Sequence, residues 1–501
     1  MHSHVLSDLY RVVNEKPDKI AYSDGENNLT FRDVFVQSRS IGSYMHERGI
    51  YKKPIVIFMK KSPQEVTAFF GTVAGGNFYV PVDEEMPVGR IQMILDNVKS
   101  PLIICDDTTE ENARSFRVKD CGIKRYDDLI GTKVNDTALD EIYHKAIDTD
   151  PIYIVFTSGS TGIPKGVVAC HRSVRDYIEQ LSEILQFGEN TIFGNQAPLY
   201  FDACLKEIYP TLKFGATTYL IPKRCFSIPV SLVEFLNTYH INTICWVVSA
   251  LTMVSAFGTF ETVRPKYLHT VAFGSEVFPV RQFRLWREAL PEASFTNLYG
   301  PTETTGMCCY YRVEKEFEEN EVIPIGRPFP NREILLLTEN GEPVPAGGQG
   351  EICIRGTALT HGYYNDWDRT QASFVQNPLN RAYPELIYKT GDIGRYNEAG
   401  ELCFVSRKDY QIKHMGHRIE LGEIEVNVNM IAGVKMAACV FDDEKKRIVL
   451  CYLGNITEKD LILEMKQKLP RYMLPNRTIR LEEMPFTANG KIDRNALKNT
   501  L

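Results

Sequence analysis

No stretch of the chain approaches the ~18 consecutive apolar residues of a membrane-spanning helix, because charge or glycine interrupts every apolar run. Basic residues are not in excess. The 57 Lys and Arg stand against 64 Asp and Glu, a net charge of −7, which is neither the footprint of a nucleic-acid binder nor a polybasic membrane surface. Among the 12 cysteines there is no C-x-x-C pair and no spaced His/Cys cluster. They read as free thiols of a reducing cytosol rather than as a disulfide framework or a zinc site. The start of the chain places His2, Ser3, His4, Ser7 and Asp8 where a signal peptide needs an apolar core, so the expected location is cytoplasmic. Internal repeats, low-complexity tracts and long linkers are missing too. What remains is a folded composition, 44% hydrophobic and 24% charged, which excludes disorder and fibres.

At ~100–200 residues per domain, 501 residues form several lobes. Residues 54–59 (PIVIFM) and 101–105 (PLIIC) are bounded like buried strands, while 64–71 and 90–98 carry helical spacing. That alternation is the rhythm of a parallel α/β sheet. It returns with strands expected at 152–156, 191–194 and 270–273 and a helix at 281–290. From 321 to 404 short strands broken by Gly/Pro turns suggest a β-rich subdomain. After Ser406 a charged stretch leads into a compact segment the size of a small separate domain. The expected fold class is α/β: a large N-terminal lobe, 1–406, of two α/β subdomains plus the β-rich one, then a small α+β domain, 407–501. Asp409 sits at the junction as a hinge. No polar linker or extra helical module marks a fused carrier domain, so the chain is expected to act on a partner in trans.

The densest chemistry lies in residues 153–166, YIVFTSGSTGIPKG. Gly159 and Gly162 let backbone N–H groups converge on an anion, Thr157, Ser158, Ser160 and Thr161 add hydroxyl donors, and Lys165 supplies charge. That set suits a polyphosphate. It is not a Walker A loop, which needs a Gly-Lys-Ser/Thr ending. The bland alternative is an ordinary Ser/Gly turn between strands.

The loop resembles the signature of the adenylate-forming superfamily, which comprises acyl-CoA synthetases, luciferases and the adenylation domains of nonribosomal peptide synthetases. Similar segments follow the family's order: 73–83 (VAGGNFYVPVD) ahead of the loop, then 274–276 (GSE), 297–303 (NLYGPTE), 325–331 (IGRPFPN) and 350–365 (GEICIRGTALTHGYYN). Next come 388–392 (YKTGD), 407–425 (RKDYQIKHMGHRIELGEIE), 469–475 (LPRYMLP) and 489–494 (NGKIDR). Together they cover nearly the whole chain. Phe201-Asp202-Ala203 resembles the motif of the amino-acid-activating branch, whose aspartate binds the substrate's α-ammonium, and 422–425 (GEIE) is typical of that branch. Chain length and the Tyr209-Pro210 context resemble D-alanine–D-alanyl carrier protein ligases, which load D-alanine onto a carrier protein for teichoic acid modification.

The resemblance implies two half-reactions. An amino acid carboxylate attacks the α-phosphorus of ATP, releasing pyrophosphate, and a phosphopantetheine thiol then displaces AMP. An anion must approach a polyanion, so preorganised positive charge is what lowers the barrier. By resemblance Lys491 touches both carboxylate and α-phosphate, Thr302 donates to that phosphate, and Glu303 holds Mg2+, a hard ion suited to oxygen ligands. Tyr299 stacks on adenine and Asn297 reads its amino edge. Gly274, Ser275 and Glu276 pack opposite, beside Leu298 and Gly300, and Asp392 with Arg407 holds the ribose. Asp202 pairs with the ammonium; Ala203, Lys206, Cys245, Val271, Phe273, Leu298, Gly306 and Met307 line the substrate pocket. Phe273 and Leu298 would narrow that pocket for a small side chain. Lys206 leaves two readings open, a partner for an acidic substrate or for a neighbouring carboxylate such as Glu207.

For the second half-reaction the resemblance implies a mobile C-terminal domain turning about Asp409, withdrawing Lys491 and presenting residues 413–416 to the pantetheine tunnel. Cys204 stands where the aspartate motif often has serine, and Ser406 replaces a common glycine. Two other functions stay open: an acyl- or aryl-acid–CoA ligase, which would want no ammonium partner, and a non-catalytic nucleotide-binding protein of the same fold.

Overall fold

The computed structural model describes residues 4–159, 162–319, 321–408, 411–486 and 492–499. Its centre is two sheets whose middle strands run parallel. One has six strands in the order Gly122–Arg125, Leu102–Cys105, Pro54–Phe58, Phe78–Pro81, Pro151–Thr157 and Lys165–Cys170. Every residue of Pro54–Phe58 and Leu102–Cys105 is buried, as continuous apolar runs require when helices cover both faces. The crossover helix Pro63–Ala74 starts where Ser62 accepts the Glu65 N–H and proline takes the first turn. A second crossover, Val88–Val98, returns the chain to the sheet.

The other large sheet has nine strands. Its parallel middle runs Ser294–Tyr299, Thr270–Gly274, Thr243–Val247, Ile192–Asn195, Thr217–Leu220 and Ile20–Ser23, with antiparallel strands at both edges. The β-rich part is a five-stranded antiparallel sheet built on Leu386–Tyr396, and Leu402–Arg407 is its last strand. Beyond it come the hairpin Gln411–His414/His417–Glu420, the helix Leu421–Asn429, and a three-stranded sheet of Val434–Asp442, Arg447–Gly454 and Arg477–Arg480. The expected α/β class holds. Among the described residues no helix is long and apolar enough to cross a membrane.

The strands and helices expected at 54–59, 101–105, 152–156, 270–273 and 281–290 are present with ends shifted by a residue or so. The Ser/Gly loop lies between two strands, as its turn-like alternative has it, and these pair antiparallel with Thr157 facing Lys165. Lys165 therefore begins a strand, which fixes its stem.

Candidate active site

Thr157, Asn195, Val247, Gly274 and Tyr299 each end a strand, and the central cavity opens beyond those ends. Its walls include Thr157, Ser158, Asp202, Ala203, Thr302, Asp392 and Arg407. Lys413, Met415, Gly416, His417 and Arg418 of the C-terminal hairpin close it. The backbone itself is crowded here. A Cβ at Gly300 would lie 2.1 Å from the Gly306 carbonyl oxygen, so only glycine lets the two segments cross.

Glu303 sits in the short turn Thr302–Thr304 and is fully buried. Arg418 Nη1 donates to its Oε2 at 2.6 Å, the Tyr363 hydroxyl donates to Oε1 at 2.8 Å, and Lys165 Nζ lies 3.4 Å from Oε1. Burial alone would push this carboxyl up, but Arg418, Lys165 and the Tyr363 hydrogen bond override it and hold Glu303 well below the usual carboxylate range. Burial also lowers Lys165 from its ordinary value. Arg418 and Lys165 thus both face the Glu303 carboxylate, and Lys165 also lies 4.0 Å from Glu420 Oε1. Ser160 and Thr161 of that loop, and with them Asp409 and Lys491, lie outside the described residues.

A single buried carboxylate suits Mg2+ that arrives with phosphate oxygens. In this arrangement Arg418 holds one oxygen of Glu303 while Tyr363 and Lys165 hold the other, so the fit requires Arg418 to move off. Among the described residues no group of three His, Cys, Asp or Glu could hold a metal. The rest of such an ion's shell would therefore come from phosphate and water.

At the nucleotide end, Asp392 pairs in register with Arg407 across two strands. Its Oδ1 accepts from Arg407 Nη1 at 2.5 Å and its Oδ2 from the Tyr299 hydroxyl at 2.5 Å. A carboxylate offers about four lone-pair sites, so room remains for ribose hydroxyls. The Lys413 ammonium stands 5.1 Å over the Tyr299 ring, a cation–π contact supplied by the hairpin. Asn297 spends its amide donors on the carbonyls of Ile323 and Pro324, which leaves the acceptor oxygen an adenine amino group needs. Ser275 lines the cavity in a left-handed conformation, φ +70°. Glu276 accepts from the N–H groups of Ser249 (2.8 Å) and Gly416 (3.2 Å), so it also grips the hairpin tip.

Asp202 opens the turn Asp202–Cys204 that leads into the helix Leu205–Phe214, and neither the turn nor the helix takes a side-chain cap. Burial raises its carboxyl and the nearby Lys206 opposes that rise. Lys206, one helical turn on, is buried and also acts on Glu207, whose carboxyl burial pushes up to about 7. Both carboxylates that Lys206 influences belong to the protein. Ala203, Gly306 and Met307 line the cavity as expected from the sequence.

Val271 and Phe273 do not line it. Successive side chains of Thr270–Gly274 point to opposite faces of the sheet. Val271 and Phe273 fall in the cluster with Trp246 and Trp286, and Phe273 packs 5.0 Å from Phe278. Ala272 shares the other face with Cys245 and Leu298, in the core cluster that reaches Ala203 and Met307. Narrowing by Phe273 is thereby corrected; Leu298 is buried in that core cluster and does not line the cavity either. Residues the sequence reading assigned no role also converge here: Tyr177 and Gln196 on the wall, Tyr363 and Arg418 on Glu303. Tyr363 and Arg418 stood inside motif runs 350–365 and 407–425, which was their only signal.

The Ser/Gly loop, the Glu303 carboxylate with Arg418 and Lys165, and the Asp392–Arg407 pair beside Tyr299 thus lie together near the strand ends. The model of the AMP-binding enzyme family matches residues 9–364, and the chain belongs to that family. It is 30% identical to a D-alanine–D-alanyl carrier protein ligase of Bacillus licheniformis, over 99% of both chains. It is also 30% identical, over 94% of its length, to surfactin synthase subunit 1 of Bacillus subtilis, of which it spans 13%. Among solved structures it resembles an adenylation domain, AlmE of Vibrio cholerae, in complex with glycyl-adenosine-5′-phosphate. That likeness, a TM-score of 0.85 at 21% identity over 100% of this chain and 98% of that one, is one of fold.

Proposed function

We propose that this enzyme adenylates an amino acid with ATP and passes the aminoacyl group to the phosphopantetheine thiol of a carrier protein in trans, with D-alanine the first substrate to test. The observation that carries the reading is the Asp202 carboxylate, which lines the same cavity as Thr302, Asp392 and the loop residues Thr157 and Ser158. An acyl- or aryl-acid has no ammonium for Asp202. The full-length likeness to a D-alanyl carrier protein ligase supports the carrier partner.

In the first step Asp202 holds the ammonium, which turns the carboxylate toward the loop. Asp392 and Arg407 hold the ribose, Tyr299 and Asn297 the base. Thr302 and Lys165 place donors and charge where the α-phosphate gains it. Glu303 would hold Mg2+, whose role is to offset charge among the phosphate oxygens. Lys491 is assigned to the meeting oxygens by its motif. The division into 1–406 and 407–501 with a hinge at Asp409 lets Lys491 leave afterwards. The docked hairpin, with Lys413, Met415, Gly416 and His417 on the cavity, fits the second step, in which those residues guide the thiol.

ATP–pyrophosphate exchange, screened over both enantiomers of the common amino acids together with fatty and aryl acids, tests the reading. Exchange with a small amino acid is the expected result. Exchange only with acids lacking an amino group rejects it.

A further inference from the structure

The loop expected to receive phosphate is held by groups of the C-terminal segment. Glu423, fully buried on the helix Leu421–Asn429, accepts the Gly159 N–H through Oε2 at 3.0 Å. Its Oε1 pairs with Arg90, which is buried on the helix Val88–Val98 of the N-terminal lobe. The Ser158 hydroxyl donates to the Arg418 carbonyl at 2.7 Å, and Ser158 Oγ accepts the Glu420 N–H at 3.2 Å. The helix presses directly on the loop: a Cβ at Gly162, where φ is +80°, would lie 2.9 Å from Val426 Cγ1.

An N–H aimed at an anion serves one anion at a time. A carboxylate on Gly159 and a phosphate oxygen make the same demand on that donor and repel each other. Arg90 does not line the central cavity. Its guanidinium acts through Glu423, because a buried carboxylate on the loop is tolerated only while a cation compensates it. In the two-step reading, separation of the lobes would free both side chains to reach water.

We propose that Glu423, positioned by Arg90, stands in for a phosphate oxygen on the loop, so that inorganic pyrophosphate and the docked C-terminal segment compete for Gly159 and Ser158. Resting on the two-step reading above, this makes Arg90 and Glu423 positioning residues for the transfer step. The segment latches when pyrophosphate has gone, and latching bars its return.

Two measurements on the full chain test this. Hydrogen exchange of residues 411–429 is followed with and without inorganic pyrophosphate, no nucleotide being present. Amino-acid-dependent ATP–pyrophosphate exchange and aminoacyl transfer to free pantetheine are then compared in wild type, Arg90→Ala, Arg90→Lys and Glu423→Gln. Pyrophosphate is expected to lower protection of 411–429 in wild type. Arg90→Ala should keep exchange within about twofold while transfer falls about tenfold or more, with partial rescue in Arg90→Lys. Glu423→Gln, which preserves shape, should behave like Arg90→Ala and guards against simple misfolding of the latter. Protection indifferent to pyrophosphate, or equal loss of both half-reactions in Glu423→Gln, overturns the proposal. A wild type with no exchange for any amino acid defeats the two-step reading instead, and the hydrogen-exchange result still decides the latch.

Discussion

Arg418 and Glu303 lie 115 residues apart in the chain and 2.6 Å apart in space. The contact ties the C-terminal hairpin to the carboxylate assigned to the metal, so one side chain answers to both half-reactions. Arg418→Met is expected to cut transfer to the thiol by about tenfold or more, exchange being affected less, because it breaks a buried charge pair formed only in the docked arrangement. Separate assays of the two half-reactions check this. The pair's contribution comes from a depressed carboxyl, so it is present above the ordinary carboxylate value of 4.5 and lost only in acid well below it.

Asp202→Asn keeps the shape of the pocket and removes its charge. The KM for the amino acid should rise about a hundredfold, the loss of a desolvated charge pair, with AMP affinity unchanged. Exchange kinetics and AMP calorimetry measure the two quantities separately.

Lys206 holds the Asp202 carboxyl down against burial. In Lys206→Met that restraint is gone, Asp202 protonates at higher pH, and the pH profile of KM for the amino acid should move to alkaline values. A profile that stays in place while an acidic substrate loses activity would assign Lys206 to the substrate's side chain.

Glu207 titrates at about 7 in the folded chain against 4.5 for the free group. Between those values the folded state binds more protons than the unfolded one, so stability falls as pH rises through that window. Glu207→Gln should flatten this decline, visible in urea melts taken at intervals from pH 4.5 to 7.

Phe273→Leu should cost roughly 1–3 kcal/mol of stability, because it deletes buried ring carbons and leaves a small cavity, and leave amino acid preference intact. A changed preference in the exchange screen would put Phe273 back in the pocket.

Much of the fold was legible because it rests on local pattern. Buried parallel strands such as Pro54–Phe58 read as unbroken apolar runs, and amphipathic helices such as Val280–Ala289 show their period. The site was legible where a motif concentrates unusual residues, as around Lys165, Glu303 and Asp392. It was not legible at Val271 and Phe273, because a strand's parity relative to the cavity is set by its neighbours. Nor was Arg90 legible, since a lone arginine on a helix gives no sign of a partner 333 residues away.

By itself the sequence determined the alternation of strands and helices, the donor-rich loop and the order of the motifs, because spacing along the chain is a covalent property. Only the tertiary structure decided that Phe273 turns away from the cavity, that Lys165 starts a strand, and that Arg418 and Glu423 occupy the groups assigned to metal and phosphate. Those outcomes depend on which sheet faces pack together and on how two lobes meet, and packing between distant segments leaves no local trace.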